Sequence, residues 1–596
     1  MNSKHTFIWF IVAVGLLAFI FGWRFIERPA PPESMAVLPG LHVSAVTSIQ
    51  IVPNNAPEIS AMRTNDNWIL TQPVFYPAQT AAIEGLLDSL QKLNAAVRIT
   101  PEELRQNHDA NATYGFATPQ MSLVIQSGDD RREILVGNKT APGDQVFLRV
   151  VGLDGVFVTD VGWLKFVPQS VTDWRDTTLV HNETSYNSIS LTNGAEIIQL
   201  AQNPTNHLWQ MVRPLAARAN GDYIIKALQQ LQTARVSQFI TDNSNADLTA
   251  FGLQPPDLDL WLGNGTNDVT TLYLGKTSTN DPTLVYAKRE GWSAIVATPK
   301  QPVSPWYGMV NDFRDPFLLE LTAPVAEIEM IGPNTNHFLL QRQGENGWTI
   351  PGETFPVGAD SVQNFIQLLA NLRVSDFVKD VVTPADLPAY GLDKPWRQIT
   401  LRSTIGDTNA VIAQLLFGDV NTNEVFVRRA DEDFIYAISP EDFNRLPGGP
   451  AWQFRDHDIW NFSETNITQI TVRQNGKILK ILHNGVNQWS LAPGSQGVIN
   501  PPALEEVAHD LGNLDAYAWL ARGVNNPARF GLNPRNLSIT IALKDGREQT
   551  VDFGSQLSSE TSLAAVTLDG EKWVFVFPPA LYQLVMTYLS APANVP

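Results

Sequence analysis

Apolar residues follow one order of patterns several times along the chain, and the stretch that begins at residue 325 shows this order clearly. Residues 325–331 (V-A-E-I-E-M-I) and 337–342 (H-F-L-L-Q-R) predict β-strands, and a third predicted strand, 347–351 (G-W-T-I-P), ends at a proline. Residues 360–372 then place five apolar side chains on one face at helical spacing: Val362, Phe365, Ile366, Leu369 and Leu372. One amphipathic helix therefore follows three strands.

Four further strands are predicted after this helix, at 398–402, 413–418, 424–428 and 434–439. Because short turns separate these strands, we expect them to form an antiparallel meander. The apolar helix face recurs earlier in the chain, at Ile83, Leu86, Leu87, Leu90 and Leu93, and again at Ile224, Ile225, Leu228 and Leu231. Each unit is accordingly predicted to be α+β.

Three series of residues show the period of the repeat. Four aromatic residues are each followed by a glycine: Tyr114 and Gly115, Phe251 and Gly252, Tyr390 and Gly391, and Phe530 and Gly531. These glycines are 137, 139 and 140 residues apart. Two other series keep nearly the same spacing, namely tryptophans before a proline (Trp68, Trp209, Trp348, Trp489) and glycines that end apolar runs (Gly137, Gly275, Gly418, Gly554). A period of about 140 residues is typical of an independent domain and too long for a solenoid repeat.

The pattern divides the chain into four predicted repeat domains, 45–182, 183–322, 323–464 and 465–596, after a membrane anchor at 1–28 and a proline-rich linker at 29–44. The anchor is predicted because residues 7–23 hold no charge, lie between Lys4 and Arg24, and would span about 25 Å as a helix. A cleaved signal peptide is the alternative. The predicted fold class is α+β: an N-terminal transmembrane helix followed by four tandem homologous α+β domains with antiparallel sheets.

The aromatic–glycine pairs are predicted to close a short helix in each repeat. Thr100 and Glu103 have the spacing of an N-cap and its capping-box partner, and Thr383 and Asp386 repeat that spacing in the third repeat. A glycine after a helix end takes the left-handed conformation without strain. We interpret the pairs as a turn that every domain needs, and a ligand site is the alternative.

A second phrase ends only the first three repeats: Trp174-Arg175-Asp176, Phe313-Arg314-Asp315 and Phe454-Arg455-Asp456. The arginines are 139 and 141 residues apart, and the fourth repeat ends without the phrase. Residues needed only where another domain follows belong to the junction, and arginine offers several donors that can lock two segments together. We therefore predict buried, hydrogen-bonded arginines at the domain junctions. A contact stripe for a partner protein is the alternative.

The composition of the chain limits the partners and active sites that it can have. The net charge of −19 repels phosphate backbones, so nucleic acid is not predicted as a partner. Without cysteine, the chain has no disulfide, thiolate nucleophile or zinc–thiolate site. The nine histidines share no repeat position and form no metal-binding motif. No catalytic residue, metal or cofactor is predicted, although a carboxylate pair from distant positions stays open.

These elements together resemble those of a bacterial repeat family known as domain of unknown function 4340. They are the tryptophan–proline element, the leucine-rich helix, the Y-G-L turn, the strand that ends in glycine and the F-R-D phrase. The resemblance covers nearly the whole chain after residue 40. It implies a single-pass envelope protein with its domains on the outer side of a bacterial membrane, often encoded beside ABC-type export components. It brings no established catalytic residues.

The predicted function is that of a noncatalytic, membrane-anchored accessory or scaffold subunit of an ABC-type transport complex. Residues 7–23 would anchor it, and a permease or an auxiliary subunit would be its partner. The alternatives are a module that binds envelope glycan or lipid, and a hydrolase. An exposed row of aromatic side chains in a groove would favour glycan, whereas a perturbed carboxylate pair in a deep cleft would favour an enzyme.

Overall fold

The structure of the chain is a computed structural model that describes residues 12–17, 19, 35–107, 109–180, 185–264, 268–321, 323–333, 336–344, 347–405, 408–533 and 536–589. Contacts divide the chain into two compact units, Met1–Arg314 and Asp315–Pro596. Each unit contains two large sheets, and in every sheet all neighbouring strands are antiparallel.

The first unit has a ten-stranded and a nine-stranded sheet. The strands of the ten-stranded sheet are β1 (Met35–Ala36), β2 (Ser48–Pro53), β3 (Ile59–Thr64), β4 (Asn67–Gln72), β5 (Tyr76–Pro77), β6 (Asn94–Ile99), β7 (Met121–Ser127), β8 (Asp130–Lys139), β9 (Gln145–Val150) and β10 (Val156–Asp160). Those of the nine-stranded sheet are β11 (Ser188–Asn193), β12 (Glu196–Gln202), β13 (Trp209–Arg213), β14 (Ala217–Arg218), β15 (Gln238–Thr241), β16 (Leu258–Asn264), β17 (Asp268–Thr277), β18 (Leu284–Arg289) and β19 (Ile295–Pro299).

The second unit has two eight-stranded sheets and a two-stranded one. The first eight strands are β20 (Glu327–Ile331), β21 (His337–Gln343), β22 (Gly347–Thr349), β23 (Val374–Lys379), β24 (Arg397–Ile405), β25 (Thr408–Val420), β26 (Val425–Arg429) and β27 (Ile435–Ile438). The small sheet pairs β28 (Asp458–Asn461) with β32 (Asn513–Asp515). The last sheet contains β29 (Ile467–Gln474), β30 (Lys477–Gly485), β31 (Gln488–Leu491), β33 (Ala518–Arg522), β34 (Ser538–Leu543), β35 (Glu548–Ser558), β36 (Thr561–Leu568) and β37 (Glu571–Val576).

All four large sheets share one strand order once the two-residue edge strands β1, β5 and β14 are set aside. Numbered within a repeat, the strands lie in the order third, second, first, fifth, sixth, seventh, eighth, fourth. The first three strands and the last four form two meanders that meet in the middle of the sheet, and the fourth strand returns to the far edge. This order places the fourth strand beside the eighth in every repeat.

One long helix connects the third and fourth strands of each repeat, and short helices lie in the connections. The α-helices are α1 (Thr80–Gln91), α2 (Pro101–Gln106), α3 (Ala110–Thr113), α4 (Gly221–Thr233), α5 (Ala359–Ala370), α6 (Pro440–Arg445), α7 (Pro501–Gly512) and α8 (Pro579–Tyr588). The 3-10 helices are Val43–Ala45, Val161–Phe166, Val171–Trp174, Leu248–Phe251, Ser304–Tyr307, Val310–Phe313, Leu387–Tyr390, Ala451–Phe454, Glu464–Asn466 and Pro527–Phe530. Residues 12–17 and 19 are also helical.

The predicted fold class is wrong. Strands hold far more of the described residues than helices do, because each repeat sets eight strands against one long helix of 12 or 13 residues. The Y-G-L turns predicted to end α-helices end 3-10 turns in three repeats. No helix among the described residues is long and apolar enough to cross a membrane. Of the transmembrane helix predicted at 7–23, residues 7–11, 18 and 20–23 lie outside the described part of the chain, as do residues 29–34 of the linker.

Each sheet buries residues on both of its faces. In the second repeat, Val285 and Ala287 pack in the main core under α4, while Leu284 and Tyr286 of the same strand pack in a smaller core. Because neighbouring strand residues point to opposite faces, the two cores lie on opposite sides of the sheet. Phe251 of the aromatic–glycine turn closes the smaller core and meets the Tyr286 ring edge-on at 5.0 Å.

The aromatic–glycine turn packs against a bulge in the sheet, and this contact explains why two glycine series share a period. The turn glycines are left-handed, with φ of 79°, 67°, 65° and 71° at Gly115, Gly252, Gly391 and Gly531. The carbonyl oxygen of the preceding aromatic residue occupies the space that a Cβ would need at the second glycine. The pairs are Tyr114 with Gly137, Phe251 with Gly275, Tyr390 with Gly418, and Phe530 with Gly554. A side chain at the second glycine would therefore displace the turn.

We expect Gly418→Ala to lower the free energy of unfolding of the third repeat by about 2 kcal/mol, because the new methyl group overlaps the Tyr390 carbonyl and crowds Leu392. Hydrogen exchange of the third-repeat amides measures this change. Gly332→Ala is the control, since its Cβ would meet nothing closer than 3.7 Å. Equal protection in the two variants would contradict the packing argument.

A second prediction concerns acid. Lys379, the Thr383 hydroxyl and the Thr383 amide hold the pKa of Asp386 at about 2, below its ordinary value. A depressed carboxyl pKa stabilises the fold above the unfolded pKa of about 3.8. This contribution falls as the pH drops toward 2. An NMR titration should place the Asp386 midpoint near 2, and Lys379→Ala should move it upward. An unshifted midpoint in the parent chain would refute the contact.

Candidate functional site: the joints between repeats

The phrase that ends each of the first three repeats pairs with the backbone in front of the long helix of the same repeat. Each arginine forms an isolated antiparallel bridge with the residue two before the helix, and the pairs are Arg175 with Ala78, Arg314 with Ala219, and Arg455 with Val357. The helix N-cap residue donates to the carbonyl of the aromatic residue before the arginine, at 2.7 to 2.9 Å. The phrase is thus fixed to the repeat that it ends.

The aspartate of the phrase turns the chain toward the next repeat. Its carboxylate accepts the backbone N–H two residues further on, and the pairs are Asp176 with Thr178, Asp315 with Phe317, and Asp456 with Asp458. In the first unit the turn is followed at once by a bridge between Thr178 and Arg235, which belongs to the second repeat. The segment from Arg175 to Thr178 therefore pairs with both repeats within four residues. This leaves the two repeats little freedom to move relative to each other.

At the joint between the first and second repeats, the guanidinium of Arg175 lies between two aromatic rings. Its central carbon is 4.0 Å from the ring centre of Phe239 in the second repeat and 5.0 Å from that of Tyr76 in the first. Its Nη2 donates to the carboxylate of Asp242, also in the second repeat. The residue is only 2% exposed. Arg175 thus carries a buried charge that both repeats must be present to accommodate.

The second repeat contributes a second cation to this joint. Arg289 of the second repeat lies 5.2 Å from the Tyr76 ring centre of the first, and its Nη1 is 3.5 Å from the carboxylate of Asp176. Trp292 meets Tyr76 edge-on at 5.6 Å. Burial raises the pKa of the Tyr76 hydroxyl. Each repeat therefore contributes a guanidinium, a carboxylate and an aromatic ring to the contact.

The joint between the third and fourth repeats uses the same elements with different partners. The central carbon of Arg455 lies 4.4 Å from the ring centre of Trp573 and 5.4 Å from that of Trp519, both in the fourth repeat. Phe355, at the position of Tyr76, meets Trp573 edge-on at 5.7 Å. Burial lowers the pKa of Arg455, but arginine remains charged in proteins. Aromatic faces, which carry negative electrostatic potential, surround this charge.

The ion pairs of the two joints are inverted. Asp242 and Arg522 both lie 21 residues after the first residue of the long helix, so an acid in the second repeat corresponds to a base in the fourth. Arg522 donates through Nη1 to Glu353 of the third repeat and through Nε to Glu571, each at 2.5 Å. At this position Arg522 of the repeat behind pairs with a carboxylate of the repeat in front, whereas at the first joint Asp242 of the repeat behind accepts from Arg175 of the repeat in front. The longer contact between Arg289 and Asp176 at the first joint runs in the same direction as that of Arg522.

The structure buries all three predicted junction arginines, with Arg175 and Arg314 2% and Arg455 5% exposed. Trp174, Phe313 and Phe454 before them are at most 1% exposed. Hydrogen bonding is less complete than the sequence suggested. Within the described part of the chain, Nε of Arg175 and both Nε and Nη1 of Arg455 have no hydrogen-bond acceptor. Rings, rather than acceptors, make most of the contacts to these guanidinium groups.

Sequence reasoning missed the residue that receives the arginine. At the two joints that lie within a unit it is Phe239 of the second repeat and Trp519 of the fourth, each 18 positions after the first residue of the long helix. The third repeat has Phe377 at the same position of its sequence. The same position in the first repeat is Arg98. The repeats that follow another repeat carry this aromatic residue. The repeats that precede another repeat carry the arginine phrase. Aligning the repeats on their helix starts would have revealed it.

Other candidate chemistry lies outside the joints. In the part of the chain that the structure describes, no group of three His, Asp or Glu side chains is placed to hold a metal ion. Asp515 pairs with Asp458 across β28 and β32, and burial followed by the neighbouring Asp458 raises the pKa of Asp515. Both carboxylates are exposed on a surface strand. The two carboxylates lie on the surface and not in the deep cleft that a hydrolase site would need.

An open cavity of about 720 Å³ lies in the third repeat, beside α5 and the start of β22. Its lining includes Arg342, Asp360 and Gln363, together with Trp348, which is only 9% exposed. The cavity therefore does not present a row of exposed aromatic rings.

The fold and the joints define a class of protein: tandem antiparallel-sheet domains held together by buried arginine–aromatic contacts. The family described as Domain of unknown function (DUF4340) matches residues 68–202, 209–395 and 348–535. The chain belongs to this family, as the sequence resemblance predicted.

Two further comparisons add little. No curated protein sequence matches the chain. A crystal structure assigned as a DNA polymerase III beta subunit from Eubacterium rectale matches at 8% identity, covering 69% of this chain and 94% of its own. The TM-score of 0.13 is too low to carry any argument about fold or function.

We expect Arg175→Ala to lower the stability of the first two repeats by about 3 kcal/mol, because Asp242 loses its partner and two rings lose the cation between them. The stability of Arg175→Lys should lie between that of the parent chain and that of Arg175→Ala, since a lysine keeps the charge but cannot stack a planar group between the rings. Hydrogen exchange, resolved by repeat, measures both. Arg105→Ala is the control, with a side chain 78% exposed. A change in Arg175→Ala no larger than in this control would contradict the assignment.

Proposed function

We propose that the chain is a noncatalytic accessory subunit of an ABC-type transport complex in the bacterial cell envelope. In this function the repeats are linked binding domains that contact a permease or an auxiliary subunit. The observation that carries the proposal is the burial of Arg175 between the Tyr76 ring of one repeat and the Phe239 ring of the next. The residues that recur along the chain are used for contacts between protein domains.

The chemistry of the joints supports a role in protein–protein contact. Buried aromatic and arginine side chains contribute most of the binding energy at many protein interfaces. Both joints have this composition, with rims of carboxylates such as Asp176 and Glu353. A chain that devotes its recurring polar residues to such contacts is suited to assembly with other proteins.

The family provides the second support. The resemblance to this family implies a place beside ABC-type export components, and the match extends over three stretches of the chain, of which the second and third overlap. The class of partner follows from that implication, while the joint contacts support the noncatalytic role.

The test is purification of the tagged full chain from cells of its own bacterium after chemical crosslinking. We expect mass spectrometry to recover a permease or nucleotide-binding subunit of one ABC-type transporter, absent from an untagged strain and from a strain that carries a tagged unrelated envelope protein. Asp515→Asn, which removes one carboxylate of the exposed pair, should leave this recovery unchanged. Efficient crosslinking without any transporter component would overturn the proposal, and so would a hydrolytic activity that Asp515→Asn abolishes.

A further inference from the structure

The second repeat has an open cavity where β17 bulges against β18, and we name it the bulge cavity. Its volume is about 330 Å³. The buried part of its wall is apolar and is formed by Gly275, Val285 and Val303, while polar side chains line its outer part. A concave apolar wall with a few polar groups at its edge is typical of small-ligand sites, whose volumes run from roughly 300 to 1,000 Å³.

The bulge cavity lies where other repeats have larger side chains. In each repeat, one residue of the eighth strand is opposite the fourth-strand residue that is Phe239 in the second repeat. Seven residues further along the chain stand Leu164, Val303, Phe443 and Tyr582 in the first to fourth repeats. Valine is the smallest of the four. A second wall residue is also smaller than in the third repeat, since Asp257 directly before β16 corresponds to Trp396 directly before β24.

Aromatic rings fill the corresponding place in the third and fourth repeats. The rings of Trp396 and Phe443 meet with their centres 5.6 Å apart, and Phe443 is buried. In the fourth repeat the buried ring of Tyr582 lies 6.1 Å from the ring centre of Phe553. A cavity of about 150 Å³ is already large enough to bind benzene. The bulge cavity therefore has room for one aromatic ring and for a polar group attached to it.

The edge of the bulge cavity carries one charge of each sign, Asp257 and Lys300. In the ranges that the structure describes, neither side chain forms an ion pair, so both charges can bind a ligand. The ring of Tyr307 lines the cavity between the apolar wall and solvent. Burial, followed by the nearby charge of Asp257, raises the pKa of the Tyr307 hydroxyl, which therefore stays protonated and can donate a hydrogen bond. A ring that bears an ammonium and a carboxylate group matches this arrangement.

We infer that the bulge cavity binds a free aromatic amino acid. The ring of this ligand takes the place that Phe443 and Tyr582 fill in their own repeats. Its ammonium group pairs with Asp257 and its carboxylate pairs with Lys300, because charge-assisted contacts of this kind fix the orientation of a small ligand. The inference goes beyond the proposed function and does not depend on it, since the cavity lining shares no residue with the two joints described above.

The inference is tested by isothermal titration calorimetry of the purified full chain with L-phenylalanine. We expect saturable binding of one molecule per chain, with a Kd of about 1 mM or lower. Glycine has the two charges without the ring, and benzyl alcohol has the ring without the charges. Each of these two probes should bind at least about tenfold more weakly than phenylalanine, because each makes only part of the contacts.

Three variants locate the binding site. Val303→Phe places in the cavity the ring that the third repeat has at this position, and it should abolish the binding of phenylalanine. Val212→Phe is the matched control, because it makes the same substitution at a valine of the second repeat that is 53% exposed, and it should leave the Kd unchanged. Asp257→Asn and Lys300→Gln should each raise the Kd about tenfold, since each removes one charge from the contact.

Several results would overturn the inference. They are the absence of saturable binding of phenylalanine, tyrosine and tryptophan at about 10 mM, an unchanged Kd in Val303→Phe, and binding of benzyl alcohol as tight as that of phenylalanine. Hydrogen exchange of the second repeat checks that Val303→Phe is folded. If it is not, Asp257→Asn and Lys300→Gln decide, and an unchanged Kd in both contradicts the site. The titration involves no transporter component, so its failure leaves the proposed function standing, and failure of the crosslinking test leaves the ligand site standing.

Discussion

The two joints that can be followed within a unit depend on one interaction, the burial of a guanidinium between aromatic rings that belong to different repeats. A buried arginine requires a negative environment, and a carboxylate would supply it at the expense of removing a second charge from water. Ring faces supply negative potential with a smaller desolvation penalty. Because Tyr76 and Phe239 come from successive repeats, neither repeat alone provides the full environment for Arg175. The contact therefore couples the stability of one repeat to the presence of the next.

The joint and the aromatic–glycine turn are also connected through one strand. Phe239 of β15 faces the joint, while its neighbour Ile240 packs against the smaller core that Phe251 closes. β15 pairs with β19, whose residues are buried on both faces because the main core lies on one side and the turn on the other. The turn therefore does more than reverse the chain. It supports the strand that presents the receiving ring.

Much of the local structure could be predicted from the sequence, because it depends on spacing. The helix faces at Ile83 and Val362, the left-handed glycines and the burial of the junction arginines all follow from periodic positions. The receiving residue could not be read from a single repeat, since a lone phenylalanine in a strand such as Phe239 is typical of any core. The fold class was misjudged although seven of the eight strands of a repeat were predicted, because the single helix of 12 or 13 residues was given equal weight with them. Nor does sequence order show that the Tyr390 carbonyl fills the place of a side chain at Gly418.

The inverted ion pairs at the two joints have a consequence for how such a chain can be rearranged. Exchanging the second and fourth repeats would bring Arg522 to the place of Asp242, beside Arg175, and would leave Glu353 facing Asp242. Each exchange sets like charges together in a partly buried contact. The repeats are thus specific to their neighbours. Recombination between copies within the gene, which easily shuffles identical repeats, would here produce mismatched joints, so the order of the repeats is protected by the chemistry of the contacts themselves.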